Sequence, residues 1–147
     1  MELLMVIAII VIISLISVPK LSDFKNEQTL KNTVEDVMAL LHKAKSDSLS
    51  SLNSNNYSVH FENNHMVYFV GDTFSEGNSG NQVVNFESEV NIPTTGGINL
   101  NNGGSNVIFS KLAGNVIGYG TIIIQLTSDS TRQKTITIEK TGAISSN

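Results

Sequence analysis

The chain has 147 residues, a formal charge of −4 and a pI near 5.2. That length allows about one domain, and an acidic chain with a single arginine, Arg132, lacks the clustered cations that a general nucleic-acid binder needs to neutralise phosphates. The absence of cysteine removes disulfides, thiol catalysis and thiolate metal sites together.

The first element is apolar. Glu2 precedes sixteen residues, Leu3 to Val18, of which only Ser14 and Ser17 are polar and none is charged. As a helix at about 1.5 Å per residue this run reaches roughly 24 Å, a little short of the roughly 30 Å hydrocarbon core, so a few residues in front would complete a span. A secretory signal opens on positive charge and closes on a small-residue A-x-A site, whereas this run opens Met1-Glu2 and closes Ser17-Val18-Pro19-Lys20. The expectation for residues 1–22 is therefore a transmembrane helix, which the resemblance described below extends to a filament-core helix. A plain anchor leaves Glu2 unexplained, because a charge at the apolar zone is costly and usually marks a paired, functional group.

Beyond Pro19 the helical pattern continues. Leu30, Val34, Val37, Leu41, Ala44 and Ser48 recur at alternating four- and three-residue spacing, with Met38, Leu49 and Leu52 widening the stripe, which predicts an amphipathic helix over 23–52. Glu27 and Lys31 have the spacing of an i,i+4 ion pair, and Asp36, Lys43, Lys45 and Asp47 keep the opposite side wet. Pro19 lacks an N–H and crowds the Leu15 carbonyl, so a bend is expected there, with Ser14 and Ser17 placed to satisfy freed carbonyls.

From Ser50 the sequence SSLNSNN stops the helix, and residues 57–147 read as mostly β. YSVHF-ENNH-MVYFV predicts a hairpin turning at Asn63-Asn64, with Phe61 opposite Met66, Val59 opposite Tyr68 and Tyr57 opposite Val70. Those six share one face; His60, Glu62 and His65 fall on the other, solvated one. Residues 71–104 are rich in Gly, Asn and Ser, with VVNFE at 83–87 the clearest strand and TTGG at 94–97 a turn. Strands follow at 106–110, 120–127 and 134–140, with Ile122, Ile124 and Leu126 on one face, Ile136 and Ile138 on one face, and TGAIS closing the chain as a turn and short strand.

No residue set points to chemistry. His42, His60 and His65 lack companions at metal-ligand spacing. The glycines of LAGNVIGYGT precede a strand, so they read as turn residues and not as a phosphate cradle. Asp72, Glu76 and Asn78 lack the spacing of a calcium loop. The expectation is a protein that is not an enzyme and uses no cofactor or metal.

A glutamate followed at once by a Val- and Ile-rich helix, a proline seventeen residues later, an amphipathic continuation and a β head resembles the N-terminal segment of type IV pilins and type II secretion pseudopilins; the stretch is ELLMVIAIIVIISLISVPKL, and Glu2 and Pro19 carry the likeness. VIFSKLAGNVIGYGTIIIQLTSDSTRQKTITIEKTGAIS resembles the head of the GspH/FimT branch. The family's prepilins carry a basic leader ending in Gly and three further residues before the position Met1 fills, so the resemblance implies an N-terminus truncated by that much. It implies an α+β pilin fold: a long helix with an apolar membrane half, a bend and an amphipathic half, packed on an antiparallel β-sheet head over 23–147. It implies a minor pilin or pseudopilin held single-pass in the inner membrane, contacting membrane lipid before assembly and then entering a periplasmic pseudopilus or a surface pilus. The implied partners are other subunits, an inner-membrane assembly machinery and a prepilin peptidase. In such a fibre Glu2 would sit in a low-dielectric core and pair with a neighbour's N-terminal amine, acting as a register device.

Two alternatives stand beside this. One is a non-filament, membrane-anchored exported domain. The other is a DNA-binding minor pilin for transformation, for which Lys111, Arg132, Lys134 and Lys140 are the candidate contacts; four scattered cations on an acidic head predict weak, salt-dependent binding at best.

Overall fold

The computed structural model describes residues 2–147, with the side chains of 15–21 outside the described set. Helix α1 (Glu2–Leu49) is followed by a 3₁₀ turn (Leu52–Ser54) and ten strands: β1 (Tyr57–Phe61), β2 (His65–Val70), β3 (Gln82–Asn85), β4 (Val90–Asn91), β5 (Ile98–Leu100), β6 (Asn106–Phe109), β7 (Val116–Ile117), β8 (Gly120–Leu126), β9 (Gln133–Ile138) and β10 (Ile144–Ser146). The strands form two antiparallel sheets. One runs β3-β2-β1-β6-β7, the other β10-β9-β8-β4 with β5 also on β8.

The helix earns its place through its stripe. Leu30, Val34, Val37, Leu41, Ala44 and Ser48 are all buried, and one core cluster joins the five apolar members to Tyr57, Val59, Phe61, Met66, Tyr68, Val107 and Phe109 of the first sheet and Ile122, Ile124, Leu126, Ile136 and Ile138 of the second. Met38 packs at the margin, whereas Leu49 and Leu52 are exposed, because the helix stops at Leu49 and Ser51, Asn53 and Ser54 take left-handed backbone angles. Ser48 stitches the helix end to both neighbours: its Oγ accepts from the Tyr57 amide at 2.9 Å and its carbonyl accepts from the Leu112 amide at 3.0 Å. The Tyr68 hydroxyl donates to Asp47 Oδ2 at 2.7 Å, and burial first, then this bond, pushes the phenol well above its ordinary pKa.

The first hairpin has the register its alternation predicts, Tyr57 with Val70, Val59 with Tyr68 and Phe61 with Met66. Val70, at the strand end, is exposed all the same. The opposite face is not solvated as expected. Ser58, Val67, Phe69 and Ile108 are buried there, because the loop after β2 lays Phe74 against the Phe69 ring at 5.5 Å and flat on the His60 ring at 4.0 Å. β8 and β9 follow the expected C-terminal strands, and close approach fixes the glycine before the first of them: a Cβ on Gly120 would collide with the Asn99 carbonyl across the sheet.

Three expectations are corrected. The β part is not a single sheet forming a small head on a long helix; it is ten strands in two five-stranded sheets, so the fold expected from the pilin resemblance does not hold as stated. Nor, among the described residues, is there a long apolar helix: none is long and apolar enough to cross a membrane. The third follows from the second: single-pass anchoring in the inner membrane, with the transmembrane and membrane-pilin descriptions attached to it, is not supported. The bend at Pro19 and the role of Ser17 lie outside the described residues. Ser14 Oγ donates to the Ile10 carbonyl one turn back, at 2.8 Å.

Candidate functional site

The chain's most unusual surface is the start of α1. The first helix residue buried against the sheets is Leu30, whereas Leu3, Leu4, Met5, Val6, Ile7, Ile9, Ile10, Val11, Ile12 and Ile13 are each 50–75% exposed. Ten large apolar side chains pointing in every direction from one helix segment cannot all face the same core, and a helix apolar all round is normally enclosed by other chains or lipid. Glu2 lies in the first described turn of α1 and is exposed.

Where the helix leaves the head, Arg132 ties it down. Its Nη2 donates to Glu27 Oε2 at 2.6 Å and its Nε to the same oxygen at 3.2 Å, with Asp23 Oδ1 3.7 Å from Nη1 and the Asp23 carbonyl 3.3 Å from Nη2. The hydrogen bonds it donates to Glu27 are the main cause holding the guanidinium above its ordinary pKa. Glu27 therefore pairs with Arg132, 105 residues away in sequence, and not with Lys31 as its i,i+4 spacing suggests. Asp129 shapes the loop that presents Arg132, accepting from the Thr131 hydroxyl at 2.7 Å and the Thr131 amide at 3.0 Å, which lowers its own pKa.

The four candidate DNA-contact residues are not brought together. Arg132 is engaged as above, and Lys134 lines a groove shared with the acids Glu27 and Glu35. Lys111 reaches the Ser54 carbonyl at 3.3 Å beyond the other end of the helix, and Lys140 is exposed on the turn after β9. Glu27 and Ser48 mark the two ends of the head along α1, about 30 Å apart, so no continuous basic stripe forms. The full chain is accordingly expected to bind duplex DNA no better than a typical acidic protein at physiological salt, with Arg132→Ala/Lys134→Ala unchanged. Fluorescence anisotropy showing tight binding that this double variant weakens would reverse that assignment.

The histidines gather around one acid. His60 Nε2 and His65 Nε2 lie 3.4 and 3.7 Å from the two oxygens of Glu62, and His60 Nδ1 is 2.6 Å from Asn106 Oδ1. Beside them a cleft of about 410 Å³ opens between the hairpin turn, Pro93-Thr94 and Gly103-Gly104-Ser105, floored by Phe61, Ile92 and Ile98. Among the described residues no group of His, Asp and Glu is arranged to hold a metal ion. Asp72 accepts from Asn56 Nδ2 at 2.6 Å, and Asn78 Oδ1 caps the Gly80 amide at 3.0 Å, so the loop acids and amides serve local turns.

Comparison with protein-family models, with curated proteins and with solved structures finds no match. The chain's own geometry is thus what argues for a role. Sequence reasoning singled out the apolar run and Arg132 but missed three positions. Phe74 was detectable as the lone aromatic between Gly71 and Gly80. Phe24, 68% exposed just beyond the head, was detectable as an aromatic on the polar side of the helix. For the Glu62 cluster the hairpin alternation put His60, Glu62 and His65 on one face, and what it did not show is that both imidazoles converge on the acid.

Proposed function

We propose that this chain is a structural subunit of a helical filament of the type IV pilus or type II secretion pseudopilus kind, with copies packed through the start of α1. The observation that carries the reading is the all-round exposure of Leu3 to Ile13, next to a head whose own core is complete without them. Enclosing ten half-exposed aliphatic side chains among neighbours would contribute on the order of 10 kcal/mol before the cost of association. The residues that carry the family resemblance, Glu2 and Pro19, lie in or beside that segment. The DNA-uptake reading draws no such support, because its one arginine is held by Glu27.

Sedimentation velocity and negative-stain electron microscopy of the full chain across a concentration series test the proposal. Elongated assemblies that grow with concentration are expected. A chain that stays monomeric at every concentration overturns it.

A further inference from the structure

Beyond the apolar segment, α1 carries two stripes that match each other. On one side, at the junction with β2 and β3, a notch of about 290 Å³ is lined by Asp36, Ala39, Leu40, Lys43, Met66 and Val84. That is wider than the roughly 150 Å³ cavity that admits a benzene ring. On the other stands Phe24, exposed and past the last buried position of the helix. We propose that Phe24 of one copy fills this notch on a second copy whose helix lies parallel and is displaced by sixteen residues, about 24 Å. The inference rests on the filament reading and adds to it a specific lateral contact and axial stagger.

Charge fixes the displacement. Shifted by sixteen, Phe24 falls opposite Leu40, Glu27 opposite Lys43 and Lys31 opposite Asp47, so both charged pairs are of opposite sign. One turn less, a shift of twelve along the same two stripes, sets the Phe24 ring against the Asp36 carboxylate, and Lys31 against Lys43, like against like. Reversing one helix about the Phe24–Leu40 pairing puts Glu27 near Asp36, again like against like. Ion pairs at such a surface add little affinity, but the contrast between matched and mismatched registers selects one arrangement.

The facing groups retain capacity for a second partner. Both Arg132 bonds to Glu27 end on Oε2, the Tyr68 bond to Asp47 ends on Oδ2, and Lys43 gives one bond to Gln82 Oε1 at 2.6 Å while lying 4.4 Å above the Tyr68 ring. Sixteen residues at about 100° each place the two stripes on nearly opposite sides of the helix. A contact between two different surfaces on opposite sides does not close on itself. It leaves each copy one free surface of each kind, as an open filament requires.

The absence of cysteine makes the test direct. Phe24→Cys with Ala39→Cys changes two exposed side chains, and within one helix the two positions lie about 22 Å apart, well beyond the roughly 7 Å Cα limit of a disulfide, so any bridge joins two copies. Under mild oxidation the double variant is expected to give a ladder of dimers, trimers and higher species on non-reducing gels. Either single variant alone should stay monomeric, and an equimolar mixture of the two should stop at dimers. Bridging by Phe24→Cys alone to the same extent would indicate a symmetric contact and overturn the proposal. Assemblies that pellet normally without a ladder would overturn the stagger while leaving the filament reading intact, and a chain that never assembles would overturn both.

Discussion

Replacing Leu41 with Asp is expected to abolish the cooperative thermal transition of the chain. Leu41 is completely buried on the helix stripe and belongs to the cluster that joins α1 to both sheets. The substitution removes about 1.5–3 kcal/mol of apolar burial and places a carboxylate with no partner in the core, which costs several kcal/mol more. Together these approach the whole stability of a domain this size, about 5–15 kcal/mol. Two companions locate the effect. Leu41→Ala is expected to cost about 2–5 kcal/mol and still fold, and His42→Asp, one residue on and exposed, should change stability by no more than about 0.5 kcal/mol. Circular dichroism melts of the three variants check this. A Leu41→Asp chain that melts like the parent would mean the stripe does not face the sheets.

That stripe was legible because a helix repeats every 3.6 residues, so six positions from Leu30 to Ser48 state their shared direction without reference to the rest of the chain. The register of the first hairpin was legible for a similar reason: an Asn-Asn turn of fixed length leaves one pairing that puts Tyr57, Val59, Phe61, Met66 and Tyr68 on one side. What stayed hidden depends on contacts between segments far apart in sequence. Nothing near His60 announces that Phe74 will cover it, and nothing near Glu27 announces Arg132. The division into two sheets turns on short strands such as β4, β5 and β7, two or three residues each, which are too brief for a period of two to show. The apolar run was misjudged by length. Sixteen residues already fall short of a span, and what the sequence could not say is that the described side chains would stand clear of the head on every side.

The sharper consequence of that exposure concerns Ile10. Ile10→Asp should leave the melting temperature of the chain unchanged and suppress its assembly by at least about a hundredfold in concentration. Ile10 is 57% exposed and lies about 30 Å along the helix from Leu30, the first residue buried in the head, so no core contact is lost. If copies pack around this segment, the same aspartate enters a shared apolar core with no cation on the turns of its own helix beside it, since Leu3 to Ile13 contains no charge. A desolvated, unpaired carboxylate costs several kcal/mol per subunit, and each 1.4 kcal/mol is tenfold in the concentration at which assemblies form. Ile10→Val, which keeps the site apolar, should assemble nearly as the parent does. The measurement pairs a thermal melt with the pelletable fraction across a concentration series. If Ile10→Asp pellets like the parent, the exposed segment does not form the shared core, and the filament proposal fails with the head still folded.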